Sequence, residues 1–566
     1  MFAELAVEAR NILRKSFGLE ASVVWECPRD GAFGDATTSA PLQLAGTLKK
    51  KPREIADILA AGLRGLRSVE RSEVAGSGYV NVWLTTEALL RELGETKEAQ
   101  TPQPTRKEEN PIIVEYSSPN IAKPLGIHHI LSTVIGQAIV NLYRHTGHNV
   151  IGWSFPGDWG TQFGKLAVAF KKWGGKNPVA DHSLDELLEL YVRFHRAAEI
   201  EPSLEEEARA VFSKLEDGDP ELRAFWQDVV AISQKALEKL YGRLQVRFDV
   251  QTGESFYEDK MAPILEEGQK KGVFVEGEGG ALIVQFPEER GIPPLMLRKS
   301  DGSTLYATRD LAMIRYRIDN YHPQAMEYVV DVAQTLHFQQ LFMTVELLGW
   351  EAPRLEHVVF GRMRFADKKM STRAGDVLKL EDVLDESVRR ADQVIAEHGD
   401  TIQTDDRAEL AETMGIGAVV YGILSQNRKM DMVFDWDKVL TFEGNSAPYV
   451  QYAYARARSV LRKANVDGEL SLPKNVEQLQ EHDRALAKTL LSFGGVLADA
   501  RDSHMPHKLA NFLYQLSQDF NAFYNAEPIL KAEEPIRSLR LALTALTATV
   551  LKRGAGILTL RVPERM

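Results

Sequence analysis

IIVEYSSPNIAKPLGIHHILSTVIG, residues 112–136, passes from an apolar run into a polar turn, a basic hinge at Lys123-Pro124, and adjacent histidines. The opening residues read as a buried strand. Beyond the histidines, Ile130, Leu131, Val134, Ile135, Ala138, Ile139, Leu142 and Tyr143 recur at helical spacing, and Gly147 stands where a C-terminal cap is expected. A strand that leads through Gly126 into a helix start gathers backbone N–H groups and the positive end of the helix dipole at one point. That arrangement suits a phosphate. Lys123, His128 and His129 strengthen the anion-site reading, although a histidine pair alone is more often structural.

Outward from that unit, Asn149–Trp153 is predicted to be a second strand, and strand–helix–strand in this order makes a parallel βαβ unit. Glu327–Val332 and Glu356–Phe360 continue the parallel-strand signal. Between them, 180–245 is helical and acidic, with capping-box patterns at Ser183-x-x-Glu186 and Ser203-x-x-Glu206, and 270–300 returns to β character. The economical account is a multidomain α/β protein. Its centre is a doubly wound, Rossmann-type domain over 110–385, interrupted by an insertion at about 176–300. Residues 1–95 read as a small α+β domain, with strands at Ser22–Trp25 and around Val80, Val82 and Leu84, and 95–110 as a linker. The chain from 386 to 566 reads as an all-α helical bundle with aromatic stretches at Tyr449–Tyr454 and Phe512–Tyr524. Its last residues, from Arg553 to Met566, are apolar enough to be docked.

With 44% hydrophobic and 26% charged residues the composition is that of a globular protein. A single cysteine, Cys27, excludes an intramolecular disulfide and a cysteine-built zinc site, and fits a reducing cytoplasm. No apolar run reaches membrane-spanning length, and the amphipathic N-terminus, with Glu4 and Glu8, reads as a structural helix. The net charge of −12 argues against bulk nucleic-acid binding, yet residues 401–566 carry 20 Lys and Arg against 20 Asp and Glu. All the excess lies in 1–400, so nucleic acid is compatible with local patches.

Two further constellations carry chemistry. Asp367-Lys-Lys-Met-Ser-Thr-Arg-Ala-Gly375 is a cationic, hydroxyl-bearing loop just beyond a strand's C-terminal end, where open α/β sheets bind ligands. Glu115, Asn120, Tyr306, Asp310 and Gln334 are polar groups on otherwise apolar elements. Tyr306 and Asp310, four apart, share a helix face. An internal pairing of Asp310 with Arg309 or Arg315 is an equal alternative.

SSPNIAKPLGIHHILSTVIG, GDWGTQFGKL, LYATRDLA, AQTLHFQQL and KKMSTRAG, in this order, resemble the signatures of class I arginyl-tRNA synthetases. Gly34-Asp35, Lys51–Ile55 and Gly76–Tyr79 are similar to that family's N-terminal tRNA-binding domain. Ala447–Arg456, Phe520–Asn525 and Pro563–Met566 are similar to its helical anticodon-binding domain. The resemblance implies ATP-dependent activation of L-arginine and transfer to tRNA-Arg, with ATP as a Mg²⁺ complex, no protein-bound metal, a dependence of the first step on tRNA, and a cytoplasmic monomer. It puts Glu115, Ser117, Asn120, Tyr306, Asp310 and Gln334 around arginine. ATP then falls to Gly126, His128, His129, Lys369, Met370 and Ser371, with His129, Lys123 and Lys369 catalytic. For tRNA it implies Phe33, Tyr79, Asn81, Tyr449, Tyr452 and Arg456.

The chain departs from the class in two places. His-x-Gly-His becomes Gly126-Ile127-His128-His129, so the first histidine is lost and an imidazole replaces glycine; His128 can swing out, stack, or obstruct ATP. Lys369-Met-Ser-Thr-Arg373 lacks the second lysine of the class pattern, a loss common in arginyl enzymes, where a lysine before the histidine motif stands in; Lys123 has that place. The rival expectations are a class I synthetase of another specificity and a catalytically weak tRNA-binding paralogue.

Overall fold

The computed structural model describes residues 2–28, 31–99, 105–365, 378–398, 402, 404–436, 441, 444–466, 468 and 470–566. They form two units: Met1–Gln103 with Arg390–Tyr421 and Asp437–Met566, and Pro104–Arg389 with Gly422–Trp436.

The first unit opens with α1 (Ala3–Phe17), β1 (Ala36–Thr38), α2 (Ala40–Leu48), α3 (Pro52–Leu63), β2 (Val69–Ala75), β3 (Tyr79–Leu84) and α4 (Thr86–Ala99). Its antiparallel sheet runs β1-β3-β2. Val80, Val82 and Leu84 of the central strand are buried, as alternation predicts. Ser22–Trp25 is not a strand. Its period-two pattern is real, with Val23 and Trp25 buried and Val24 exposed, but only the Glu26–Thr37 bridge joins it to a sheet. Helix α4 also takes in the first residues of the expected linker, where Glu95, Lys97, Glu98 and Ala99 are good helix formers.

The second unit holds β4 (Ile112–Glu115), α5 (His129–His145), β5 (Val150–Ser154) and α6 (Thr161–Trp173). It continues through α7 (Leu184–Ile200), α8 (Ser203–Glu216), α9 (Pro220–Arg243) and β6 (Val250–Gln251). All four residues of β4 are buried, as a parallel strand covered on both faces requires. Gly147 follows α5 at φ +80°, the left-handed turn that ends it. Ser183 caps α7 in the expected reciprocal box with Glu186. The box expected at Ser203 is absent: α8 begins one residue earlier in register, so Ser203 is its first helical residue and Pro202 stands at the cap.

Beyond β6 come α10 (Met261–Lys270), β7 (Phe274–Glu276), β8 (Leu282–Val284), β9 (Leu295–Arg298), α11 (Tyr306–Tyr321), β10 (Ala325–Tyr328), α12 (Thr335–Leu347), β11 (Arg354–His357), β12 (Met363–Phe365) and β13 (Met432–Phe434). The main sheet is parallel throughout, in the order β11-β10-β4-β5-β6. The stretch 176–300 is therefore two things: the helices α7–α9, and a part that returns to the main sheet through β6. Met261, Phe274, Val284 and Leu297 share one core with Ile113, Trp153, Leu311 and Met326. The β12–β13 pair brings residues from beyond 386 back to this unit.

The remainder of the first unit includes the helices Ala447–Lys463, Glu481–Asp502, Pro506–Ala526 and Ile536–Ile557. They close around Leu490, Phe493, Leu513, Phe520, Leu543 and Val550, all fully buried. The chain end is docked, as expected: Tyr454 donates to Glu564 at 2.5 Å and Arg458 at 2.8 Å. Helix Glu481–Asp502 also grips the N-terminal sheet. Arg484 donates to both oxygens of Asp35 (3.1 and 2.5 Å) and to the Leu84 carbonyl, and Lys488 donates to the Gly34 carbonyl. Gly34 has φ +85°, and a Cβ there would lie 2.6 Å from the Val82 oxygen, so only glycine brings its carbonyl to Lys488. Asp35 is 1% exposed. Asp35→Ala strands a cationic partner and is expected to lower stability by roughly 3–5 kcal/mol, read by denaturant unfolding with enhanced proteolysis within residues 1–95.

Candidate active site

The order β11-β10-β4-β5-β6 places a topological switch point between β4 and β10, where successive crossovers leave in opposite directions and a crevice opens at the strand ends. A cavity of about 450 Å³ lies there. Ser117 and Ser118 follow β4 into it, Val330 and Asp331 follow β10, and His128 and His129 face it from the start of α5. Arg362 and Met363 line it from the far side, beyond β11.

The turn into α5 is held by its own backbone and by the segment before Leu380. Ile127 N–H donates to the Leu378 carbonyl, Leu380 N–H to the Leu125 carbonyl, and Gly126 bridges Lys379. Both described ends of the cationic loop, Met363–Phe365 and Leu378–Leu380, thus border the cavity or its histidine turn. Lys369, Met370 and Ser371 lie outside the described residues. Gly126 N–H donates to Nδ1 of His129 at 3.0 Å. Burial, with the charges of His128 and Lys123, pushes the His129 imidazole down to about 4. The same Nδ1 lies 3.1 Å from the Gly126 carbonyl, so Gly126 holds the ring in either tautomer. His128 is exposed, and its ring lies beside that of His129 with centroids 3.9 Å apart and planes tilted by 39°. Burial and the nearby Lys123 lower its pKa as well. Lys123 is exposed beside them.

The arginine candidates fall on neighbouring strand ends and on α11. Asp310 accepts from His337 Nε2 at 2.7 Å, and the His337 ring meets Tyr306 edge-on at 5.0 Å. Neither suspected internal partner pairs with Asp310. Arg309 binds Glu258 (2.8 Å) and Glu254 (3.6 Å), and Arg315 binds Asp319. Glu254 itself is pushed up to about 7, first by burial, with Arg309 opposing. Tyr306 is 60% exposed, and Gln334 is exposed at the end of a short 3₁₀ turn after β10. Asn120 bridges Gly157; a Cβ on Gly157 would come within 2.2 Å of the Asn120 side-chain oxygen, so this approach demands glycine.

Two arginine candidates are engaged inside the protein. Glu115, 5% exposed, pairs with Arg317 at 2.7 Å. Ser117 takes φ +52° and is buried, with its hydroxyl bonded to Thr133 (2.7 Å) and Tyr241 (2.9 Å). These bonds hold the turn that lines the cavity. His337, Asp331 and Arg317 were missed. His337 lies within AQTLHFQQL, three residues after Gln334, and Arg317 lies seven after Asp310 on the same helix face, so helical spacing was the available signal.

The expected tRNA residues lie in the first unit. Phe33 and Tyr79 are 48% and 46% exposed, whereas Asn81 is buried and accepts from the Thr37 hydroxyl. Tyr449 packs edge-on against Tyr514. Arg456 lies 4.6 Å over Tyr452 and 4.9 Å over Tyr524, and donates to Asn521.

A switch-point cavity met by a histidine-bearing helix start, with a carboxylate recess on the adjoining helix, is the arrangement of class I aminoacyl-tRNA synthetases, and the second unit has that form. Residues 93–436 match the family described as tRNA synthetases class I (R), catalytic domain; residues 4–84 match the arginyl tRNA synthetase N terminal domain, and 450–566 the DALR anticodon binding domain. The arginine–tRNA ligase of Clostridium kluyveri is 39% identical over 578 residues, with 100% of both chains covered. That of Fusobacterium nucleatum is 37% identical, with 94% of each covered. The Thermus thermophilus arginyl-tRNA synthetase structure superposes with a TM-score of 0.82 at 27% identity, over 100% of both chains. The chain belongs to the class I arginyl-tRNA synthetase family.

The His129 geometry has a direct test. Nitrogen-15 NMR of the imidazoles is expected to show His129 neutral from pH 8 down to about 5. A ring that titrates near 6.5 would contradict the burial described for it.

Proposed function

We propose that the second unit condenses L-arginine with ATP, taken as its Mg²⁺ complex, and that the product is handed to the 3′-terminal ribose of tRNA-Arg. In the first step a carboxylate oxygen of arginine attacks the α-phosphorus. The bond from that phosphorus to the bridging oxygen breaks, and pyrophosphate leaves with the electron pair. In the second step a ribose hydroxyl attacks the carbonyl carbon of arginyl-adenylate and AMP departs. Such chemistry is governed by alignment and by stabilisation of charge on phosphate oxygens.

The single observation that carries this reading is the meeting, at one sheet edge, of a carboxylate recess with a cavity bordered by donors. Asp310, backed by His337 and with Tyr306 beside it, suits the planar, permanently charged guanidinium, which carboxylates hold in fork geometry. Glu115, Asn120 and Gln334 take the remaining groups of arginine. His129 and Lys123 serve the phosphates with Lys369, while Gly126, His128, Met370 and Ser371 complete the nucleotide site. The placing of Leu378–Leu380 against the histidine turn supports a role for the cationic loop that precedes it.

In the same reading residues 1–95 bind tRNA through Phe33, Tyr79 and Asn81, residues 110–385 catalyse, and residues 386–566 meet the anticodon through Tyr449, Tyr452 and Arg456. The exposed tyrosine–arginine stack supports this, because nucleobases stack on such faces. The enzyme acts as a monomer in the cytoplasm. Among the described residues no helix is long and apolar enough to cross a membrane, and burial raises the Cys27 thiol to about 12, which keeps it protonated and unreactive.

Asp310→Ala is expected to reduce arginine activation by at least a factor of about 100, the scale of a lost charge-assisted pair, while tRNA binding measured by filter retention stays near wild type. Near-normal activation by that variant would remove the pocket assignment. Arginine-dependent ATP–pyrophosphate exchange is expected only when tRNA-Arg is present, and exchange at full rate without it would overturn the coupling of the two steps.

A further inference from the structure

Arg317 is the most thoroughly buried cation in the second unit. It is 0% exposed, on the inner face of α11, with its guanidinium 4.4 Å over the Trp153 ring and 5.8 Å from that of Tyr328. Its Nη2 reaches Glu115 Oε2 at 2.7 Å, an ion pair sealed from solvent on both sides. Sealing a guanidinium between two aromatic rings is costly, and the two charges sustain each other there. Replacement of both by apolar groups would cost the fold little, so the pair needs a reason beyond stability.

Position supplies one. Glu115 ends β4 at the switch point, one residue before the turn that lines the cavity. Arg317 lies two helical turns beyond Asp310 on α11, so one helix presents a carboxylate to the recess and a cation to the strand that borders it. We propose that Arg317 is a positioning residue for arginine recognition: it holds the Glu115 carboxylate ionised and turned toward the amino-acid recess. The inference rests on the reading that Glu115 contacts substrate arginine.

The groups around Glu115 agree. Burial pushes its carboxyl upward, Arg317 opposes that push by charge and hydrogen bond, and Asp310 adds to it. Tyr328 from β10 and Tyr257 from the 3₁₀ segment before α10 complete the surroundings, and burial holds both phenols protonated. Arg317 is therefore the lone cation facing Glu115 among these groups. Without it the carboxyl would take up a proton at higher pH, and a neutral Glu115 cannot attract a cationic substrate.

The test is aminoacylation by the full chain at saturating ATP and tRNA, with arginine varied from pH 6 to 9. Arg317→Gln is expected to lower kcat/KM for arginine roughly 100-fold at pH 7, mainly through KM, and to move the acid limb to higher pH. KM for ATP should be unchanged. Arg317→Lys, which keeps the charge, should recover part of the loss and return the limb toward wild type, and it carries the test if the glutamine variant folds poorly. Glu115→Gln should impair arginine use and abolish the acid limb, so that adding Arg317→Gln has little further effect. Wild-type arginine kinetics in Glu115→Gln would overturn the reading that Glu115 contacts the substrate. An impaired Glu115→Gln beside an Arg317→Gln with an unmoved acid limb, or with equal losses for ATP and arginine, would overturn the positioning role alone.

Discussion

Everything chemical in the second unit depends on one constraint: a wholly parallel sheet, covered on both faces, can receive a ligand only at its carboxyl edge. The order β11-β10-β4-β5-β6 opens that edge between β4 and β10. Ser117, Asp331 and Arg362 reach the same cavity because each follows a neighbouring strand end. The insertion of α7–α9 leaves this edge intact, since β6 resumes beside β5 in register. The close approaches demanded of Gly157 and Gly136, the latter against Tyr116, pin the loops and α5 tightly to the same edge.

Such a site must hold carboxylates for a cation and donors for a polyphosphate without letting the two sets neutralise each other. On the α5 side burial lowers the pKa of both histidines, and Asp331, which lines the same cavity, opposes that at His128. On the α11 side each carboxylate has a partner of its own, Arg317 for Glu115 and His337 for Asp310, and Arg309 is occupied by Glu254 and Glu258. The His128 side chain, which replaces the class glycine, sits beside His129 with the two rings tilted by 39°.

Much of this was legible in the chain. The β4–α5–β5 unit announced itself through helical spacing between two apolar runs, and Tyr306 and Asp310 through their separation of four. The signatures in order were enough to name the family. What escaped was set by tertiary contacts. Ser22–Trp25 has the burial pattern of a strand, but whether an extended segment finds a ladder depends on distant residues. Ser203 has the right neighbours for a cap, and a one-residue shift in where α8 begins removes it. The partners of the Ser117 hydroxyl, Thr133 and Tyr241, could not be read locally, since the second comes from α9. The partners of Glu115 and Asp310 are likewise far along the chain or on another helix, where local spacing is silent.

The two carboxylates also differ in the kind of partner they keep, and that difference separates their roles. A guanidinium is charged at every physiological pH, so Glu115 stays paired whether or not substrate is present, and it can offer only the oxygen turned away from Arg317. An imidazole bonded through one nitrogen to a carboxylate occupies one oxygen and leaves the other available. A bidentate grip on an incoming guanidinium needs a carboxylate that is partly restrained but not neutralised. Asp310, held from one side by His337 and open toward the exposed Tyr306, meets that condition. Glu115, locked against a fully buried arginine, does not, and is better suited to attract the single positive charge of an α-ammonium at a fixed place. The two carboxylates are thus unequal because their partners are: a sealed guanidinium for Glu115 and an imidazole for Asp310.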